Sequence, residues 1–224
     1  MTDRDPLVVS SAGSVLSGLL AVWFVATSPN QRFAIGVIAV GLAALWLAVR
    51  GVRRGHRLLG GVLGVAGLAA AVFAFTRGGA GPLSNRLELY PALVGLLVLT
   101  LGLAPVYRGF ERWYVTTGTA LVFVGVVTAG AVQSASTFGL LAAGVATVVA
   151  WDLGEQAVNV RNHVGADART WPVELTHAGA AVVVGAAAIA LALFVRNAQV
   201  TGVPLAGLGV LLGAAVVLTT ALYN

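Results

Sequence analysis

The side chains that could do chemistry lie close together in one stretch of the sequence, between Trp151 and His177. Carboxylates and imidazoles exchange protons, and arginines balance carboxylates in ion pairs. This mixture indicates an acid–base or ion-pair cluster in which the acidic and histidine side chains partner Arg161 or Arg169, and we predict structural ion pairing rather than catalysis. The candidate residues are Asp152, Glu155, Arg161, His163, Arg169, Glu174 and His177.

Two spacings within this stretch resemble ligand patterns of metal proteins. Glu174 and His177 form a Glu-x-x-His pair, which di-iron bundles use, but such a site needs a second pair and the sequence has none. His163 and His177 have a spacing close to that of haem ligands on one helix, yet Pro172 interrupts the segment between them. We therefore predict no metal and no cofactor. Glu174, just after Pro172, is also typical of a first helical turn, so a capping role is the alternative.

Catalytic motifs are missing from the sequence. It contains no Gly-x-Ser-x-Gly elbow, no Walker loop and no His-Glu-x-x-His. The absence of Cys excludes thiolate nucleophiles, and the absence of Lys excludes Schiff-base chemistry. The sequence thus predicts a protein that is not an enzyme and has no catalytic residues.

The composition is that of an integral membrane protein. Hydrophobic residues make up 58% of the chain and charged residues 9%, and the 29 glycines suit helices that approach closely in lipid. We expect a multi-pass protein of the cell membrane that contacts the lipid bilayer. The net charge of +5 comes with arginines in short loops, so we interpret it as setting orientation and predict no binding to nucleic acid.

About eight windows are long and apolar enough to cross a bilayer, which predicts an all-α transmembrane bundle forming a single domain over residues 1–224. Beyond the sixth span, Leu153, Ala157, Val160, Val164 and Ala168 recur at helical spacing, so we expect that helix to continue as an amphipathic cytoplasmic extension over 152–170. Contact of this extension with the bundle itself and contact with a partner protein are both open. The windows are 7–27, 33–49, 58–76, 87–106, 113–132, 134–151, 173–195 and 202–222.

The arginines predict the orientation of these spans. Positive charge accumulates in cytoplasmic loops, so the more basic side is expected inside, with both termini in the cytoplasm. The outer side holds four arginines, Arg32, Arg77, Arg86 and Arg196. The inner side holds nine, namely Arg4, Arg50, Arg53, Arg54, Arg57, Arg108, Arg112, Arg161 and Arg169.

The C-terminal third resembles a known family. The pattern runs Trp151-Asp152-x-Gly154-Glu155-x-Ala157, then His163-x-Gly165-x-x-x-Arg169-Thr170, then Glu174-x-x-His177-Ala178. It is similar to the signature of uncharacterised multi-pass haloarchaeal membrane proteins, and the resemblance extends mainly over residues 148–224. Members of that family tend to be encoded beside MoxR-type ATPases, so the resemblance implies an accessory role in a membrane complex and assigns no catalytic residue.

Two functions are expected from these patterns. The first is a non-enzymatic membrane scaffold or accessory subunit that docks a partner protein through its cytoplasmic face, with a MoxR-type ATPase system as the partner implied by the resemblance. The alternative is a channel or carrier for a neutral or weakly polar solute. Its inner mouth would contain Thr116, Thr119, Asp152, Glu174 and His177.

Overall fold

The computed structural model describes residues 8–80, 83–104, 109–132, 135–163 and 170–197. These residues form seven α-helices and no strand, which confirms the all-α prediction for the part of the chain they cover. The helices are α1 (Val8–Val25), α2 (Pro29–Arg53), α3 (Arg57–Gly78), α4 (Leu83–Leu103), α5 (Glu111–Val132), α6 (Thr137–His163) and α7 (Trp171–Asn197).

The boundaries of α2 show how local sequence fixes a helix. Ser28 and Gln31 form a capping box: Gln31 N donates to Ser28 Oγ at 3.2 Å, and Ser28 N donates to Gln31 Oε1 at 3.1 Å. Pro29 suits the first turn because its missing N–H has no partner there in any helix. After the helix ends, Gly55 adopts a φ of +86°, which turns the chain towards α3.

Small residues allow neighbouring helices to pack closely. A Cβ on Gly60 of α3 would lie 2.8 Å from the Ala48 carbonyl oxygen of α2, and one on Gly118 of α5 would lie 2.5 Å from the Leu99 nitrogen of α4. Backbones at these positions therefore touch without intervening side chains. The α2/α3 and α4/α5 pairs are antiparallel hairpins built on such contacts.

The core lies where α1 meets α2, α4, α5 and α6. Val22, Ile38, Leu93, Val122 and Ala143 come from these five helices and are almost fully buried in one cluster. Helix α1, although short, thus packs one side into the core, whereas Leu16 and Leu20 on its other side are exposed. Many large apolar side chains on α3 and α7 remain exposed, as expected for surfaces that face lipid rather than water.

Charged side chains gather at the end of the bundle where α6 finishes, which we call the polar end. It contains the start of α1, the end of α2 and the starts of α5 and α7. The residues at this end include Ser10, Arg53, Arg112, Arg161 and Glu174. Gln31 and Glu88 belong to the opposite end.

The chain divides into two compact units, Met1–Ile189 and Ala190–Asn224. The core and the polar end both lie within the first. Of the second, the structure describes residues 190–197, which complete α7.

Six helices, α2 to α7, contain segments long and apolar enough to cross a membrane, and they coincide with the second to seventh predicted spans. The apolar part of α1, Val9–Val25, is shorter than the others. The predicted eighth span, 202–222, lies outside the described residues. Helix α6 does continue beyond Trp151, to His163, and the rest of the predicted extension up to residue 169 is not described.

Candidate functional site

Glu174 joins α7 to the start of α1. Its carboxylate is almost fully buried, with 1% of the residue exposed. One oxygen, Oε2, accepts hydrogen bonds from Ser10 N at 2.9 Å and Ser10 Oγ at 2.8 Å, and Oε1 accepts one from Thr170 Oγ1 at 2.6 Å. Ser10 N lies in the first turn of α1, where backbone N–H groups have no intrahelical acceptor and a negative charge is stabilised. Glu174 therefore caps α1 while it lies in the first turn of its own helix.

Asp152 and His177 form a second contact between α6 and α7. Asp152 Oδ2 lies 2.8 Å from His177 Nε2, and the side chains of Asp152 and His177 are 40% and 38% exposed. With one oxygen and one ring nitrogen engaged, each side chain keeps a further polar atom able to form hydrogen bonds.

Glu155 pairs with a cation from α5 rather than from α6. Arg112 Nε lies 2.8 Å from Glu155 Oε2, and Arg112 Nη2 donates to Asn159 Oδ1 at 2.6 Å. Glu155 and Asn159 are four residues apart, so they present one helical face to the arginine. Arg112 was not among the residues predicted for the cluster. Its position in the first turn of the neighbouring span could have indicated that it lies at the same end of the bundle.

Arg161 and His163 complete the part of the cluster that the structure describes. Arg161 Nη2 donates to the Leu103 carbonyl oxygen at 2.8 Å, so it caps the C-terminus of α4. His163 is exposed, and its Nδ1 lies 2.9 Å from the carbonyl oxygen of Asn159 one turn earlier. Arg169 lies outside the described residues.

The candidate residues thus form several separate contacts and do not meet at one centre. Although Glu174 and His177 lie on one helix at ligand spacing, the carboxylate contacts α1 and the imidazole contacts α6. Among the described residues, no three His, Asp or Glu side chains come together as metal ligands would. These contacts attach α6 to α4, α5 and α7, and Glu174 attaches α7 to α1.

The final turns of α6 are packed onto the bundle. Leu153, Ala157 and Val158 are buried, and the last two form a cluster with Leu103 and Val115 of α4 and α5. The sequence left open whether the amphipathic stripe contacts the bundle or a partner protein. In the structure, Leu153 and Ala157 of that stripe are buried against the bundle. The outward face of these turns carries the exposed, polar Asn159, Asn162 and His163.

A cavity of about 680 Å³ lies between α6 and α7, and its lining includes Asp152 and His177. The other residues predicted at a channel mouth lie elsewhere. Thr119 is buried, and its hydroxyl donates to the Val115 carbonyl oxygen of its own helix at 2.8 Å. Glu174 is enclosed by its contacts with α1, and Thr116 is exposed on another face.

At the opposite end, the structure shows a buried polar pair that the sequence patterns did not predict. Gln31 and Glu88 are 0% and 3% exposed. The Gln31 carbonyl accepts from Thr27 N at 2.9 Å, whereas Gln31 Nε2 and Glu88 Oε2 have no hydrogen-bond partner among the described residues. Arg86, two residues before Glu88 in the sequence, donates from Nε to the Gly79 carbonyl oxygen at 2.9 Å.

These contacts define a class of protein: an α-helical bundle in which six of the described helices are long and apolar enough to span a membrane and polar side chains hold the helices together at one end. The chain belongs to a family of unknown function, DUF7519, whose model matches residues 64–219. The match begins within α3, well before residue 148, and it confirms the prediction of an uncharacterised family. No curated protein and no solved structure matches the chain. Haloarchaeal origin and association with MoxR-type ATPases stay predictions.

Proposed function

We propose that the chain is a multi-pass protein of the cell membrane whose polar end lies in the cytoplasm. Six apolar helices support the membrane location, and the arginines of the polar end support the orientation through the positive-inside rule. Trp46, Trp113 and Trp171 lie within about two turns of helix ends at this side, as interfacial tryptophans do. Arg50 stacks on Trp46 at 3.8 Å from the ring centroid, which suits a charged group beside the lipid headgroups.

Within that membrane we propose a non-enzymatic scaffold or accessory subunit that docks a partner protein on the outward face of the last turns of α6. This proposal rests on the observation that those turns are held in place by contacts with the rest of the bundle. Their apolar side is buried against α4 and α5, and Arg112 and Arg161 attach them to neighbouring helices. A surface that is already rigid loses little conformational entropy when it binds.

The chemistry of the polar end indicates an acidic partner surface. Arg53, Arg54 and Arg57 are exposed in and around the turn between α2 and α3. Exposed arginines steer and orient partners with negative charge. A MoxR-type ATPase system remains the partner that the family resemblance implies.

Site-specific photo-cross-linking in cells tests this proposal. A photoreactive residue at Asn162 or His163 is expected to form an adduct with a protein of defined mass, and the same probe at Val65, exposed on α3, is expected to form none. Arg54→Glu should weaken the Asn162 adduct severalfold if the partner is acidic. Absence of a protein adduct at both α6 positions, or equal adducts at Val65, would rule out docking at this face.

The alternative function, a channel or carrier for a neutral solute, draws support from one observation, the cavity lined by Asp152 and His177. Thr119 and Glu174 are engaged in other contacts, so of the five residues proposed for a channel mouth the cavity is lined by two, Asp152 and His177. We therefore favour the scaffold.

A further inference from the structure

The cavity between α6 and α7 is an open groove whose length suits a single lipid chain. It extends along α6 from Leu140 to Asp152. Twelve residues of helix correspond to about 18 Å, which is more than half of a hydrocarbon core of about 30 Å. Its volume of about 680 Å³ lies within the range of known ligand pockets.

The walls and the ends of this cavity differ in chemistry. Phe123, Val148 and Val184 belong to its apolar walls, whereas Asp152 and His177 are the polar residues of its lining. Trp151 adjoins that polar pair, and tryptophan is enriched at the boundary between acyl chains and headgroups. An apolar cavity with one polar end matches a molecule with a chain and a small head.

The charge of Asp152 limits which lipid headgroup can bind beside Asp152 and His177. The Asp152 carboxylate accepts hydrogen bonds and repels phosphate, and the described lining includes no arginine to offset that repulsion. Asp152 Oδ2 is bonded to His177 Nε2, which leaves Oδ1 able to accept a hydrogen bond from a hydroxyl. Because Asp152 is already paired with His177, the complementary head is one that carries a hydroxyl and no phosphate.

We infer that this cavity binds an uncharged lipid with a free hydroxyl group, such as a diacylglycerol. The hydroxyl donates to Asp152 beside His177, and one chain lies between α6 and α7. The inference rests on the proposed membrane location and is independent of the proposed partner.

Two variants separate the cavity from the rest of the bundle. A Cβ added at Gly144, which lines the cavity, meets nothing within 4 Å, so Gly144→Leu fills the chain site without a clash. Gly36 on α2 has equally open surroundings and does not line the cavity, so Gly36→Leu is the matched control. Val148→Trp is a second filling variant, because Val148 is 60% exposed and lines the same cavity.

Native mass spectrometry of the purified full chain in mild detergent, with added dioleoylglycerol, measures binding. The wild type and Gly36→Leu are expected to bind one molecule, and the filling variants to bind at least tenfold more weakly. Acetylation of the free hydroxyl should weaken binding about tenfold in the wild type and have little effect in Asp152→Ala. Dioleoyl phosphatidylglycerol should bind more weakly than dioleoylglycerol.

The inference is overturned if both filling variants bind as the wild type does, if acetylation has no effect, or if the phosphatidylglycerol binds equally well. The assay contains no partner protein, so a failed cross-link at Asn162 does not affect it. Loss of lipid binding likewise leaves the docking proposal to its own test.

Discussion

A single carboxylate, that of Glu174, connects two helices that are far apart in the sequence. It accepts three hydrogen bonds, two of them from Ser10 at the start of α1. Charged hydrogen bonds of this kind are shorter and stronger than neutral ones, and their loss leaves buried donors without a partner. Within its described length, helix α7 has one other buried residue, Gly185, so this contact contributes much of its attachment.

Glu174→Ala is accordingly expected to lower the free energy of unfolding by about 2 to 3 kcal/mol, since Ser10 N loses its acceptor in a buried site. Glu174→Gln keeps one acceptor oxygen and should cost about 1 kcal/mol. Thr176→Ala is the control, because Thr176 is exposed and bonds to its own helix. Unfolding by SDS titration of the detergent-solubilised protein measures these differences, and equal stability of the wild type and Glu174→Ala would show that the contact is dispensable.

The sequence indicated which residues make polar contacts, but not which residues are their partners. Asp152, Glu155, Glu174 and His177 all engage in polar contacts, as their clustering suggested. Their partners include Ser10 and Arg112, which lie on other helices, and pairing across helices depends on packing that no local spacing records. The burial of Gln31 and Glu88 was missed because burial also depends on packing between helices.

At the scale of helices, glycine contacts fix how α4 and α5 pack. Because a Cβ at Gly118 would approach backbone atoms of Leu99 and Gly95, Gly118→Ala must push the two helices apart. We expect it to lower the free energy of unfolding by about 1 to 3 kcal/mol. The same change at Gly36 meets open space and should raise helix stability by about 0.5 to 1 kcal/mol.

SDS titration of both alanine variants shows whether glycine is required at Gly118 for close backbone contact or whether any small residue serves there. Equal stability of Gly118→Ala and Gly36→Ala would contradict the close approach of α4 to α5.

Helix positions were predictable because uninterrupted apolar windows about 20 residues long are rare outside membrane spans. Which face of each helix packs inwards was not predictable, since exposed and buried faces are both apolar: Val62 and Val65 of α3 are exposed, whereas Ala71 and Ala74 are buried. Helix α6 is the exception beyond Trp151. There polar and apolar residues alternate with helical period, and Leu153 and Ala157 of the predicted stripe are buried, whereas Val160 is partly buried.

For the whole molecule, orientation in the membrane connects the fold to the proposed function. Helix α6 can present a docking face to a cytoplasmic partner only if the polar end lies inside. The chain contains no Cys, so single cysteines can be introduced without background labelling. His56 and Asn162 are exposed at the polar end, and Ala80 is exposed after α3 at the opposite end.

The most direct test is labelling of His56→Cys, Asn162→Cys and Ala80→Cys with a membrane-impermeant maleimide, in intact cells and in inside-out vesicles. We predict that Ala80→Cys reacts in cells, whereas His56→Cys and Asn162→Cys react only in the vesicles. Labelling of Asn162→Cys in intact cells, or of all three cysteines from the same side, would contradict a cytoplasmic polar end.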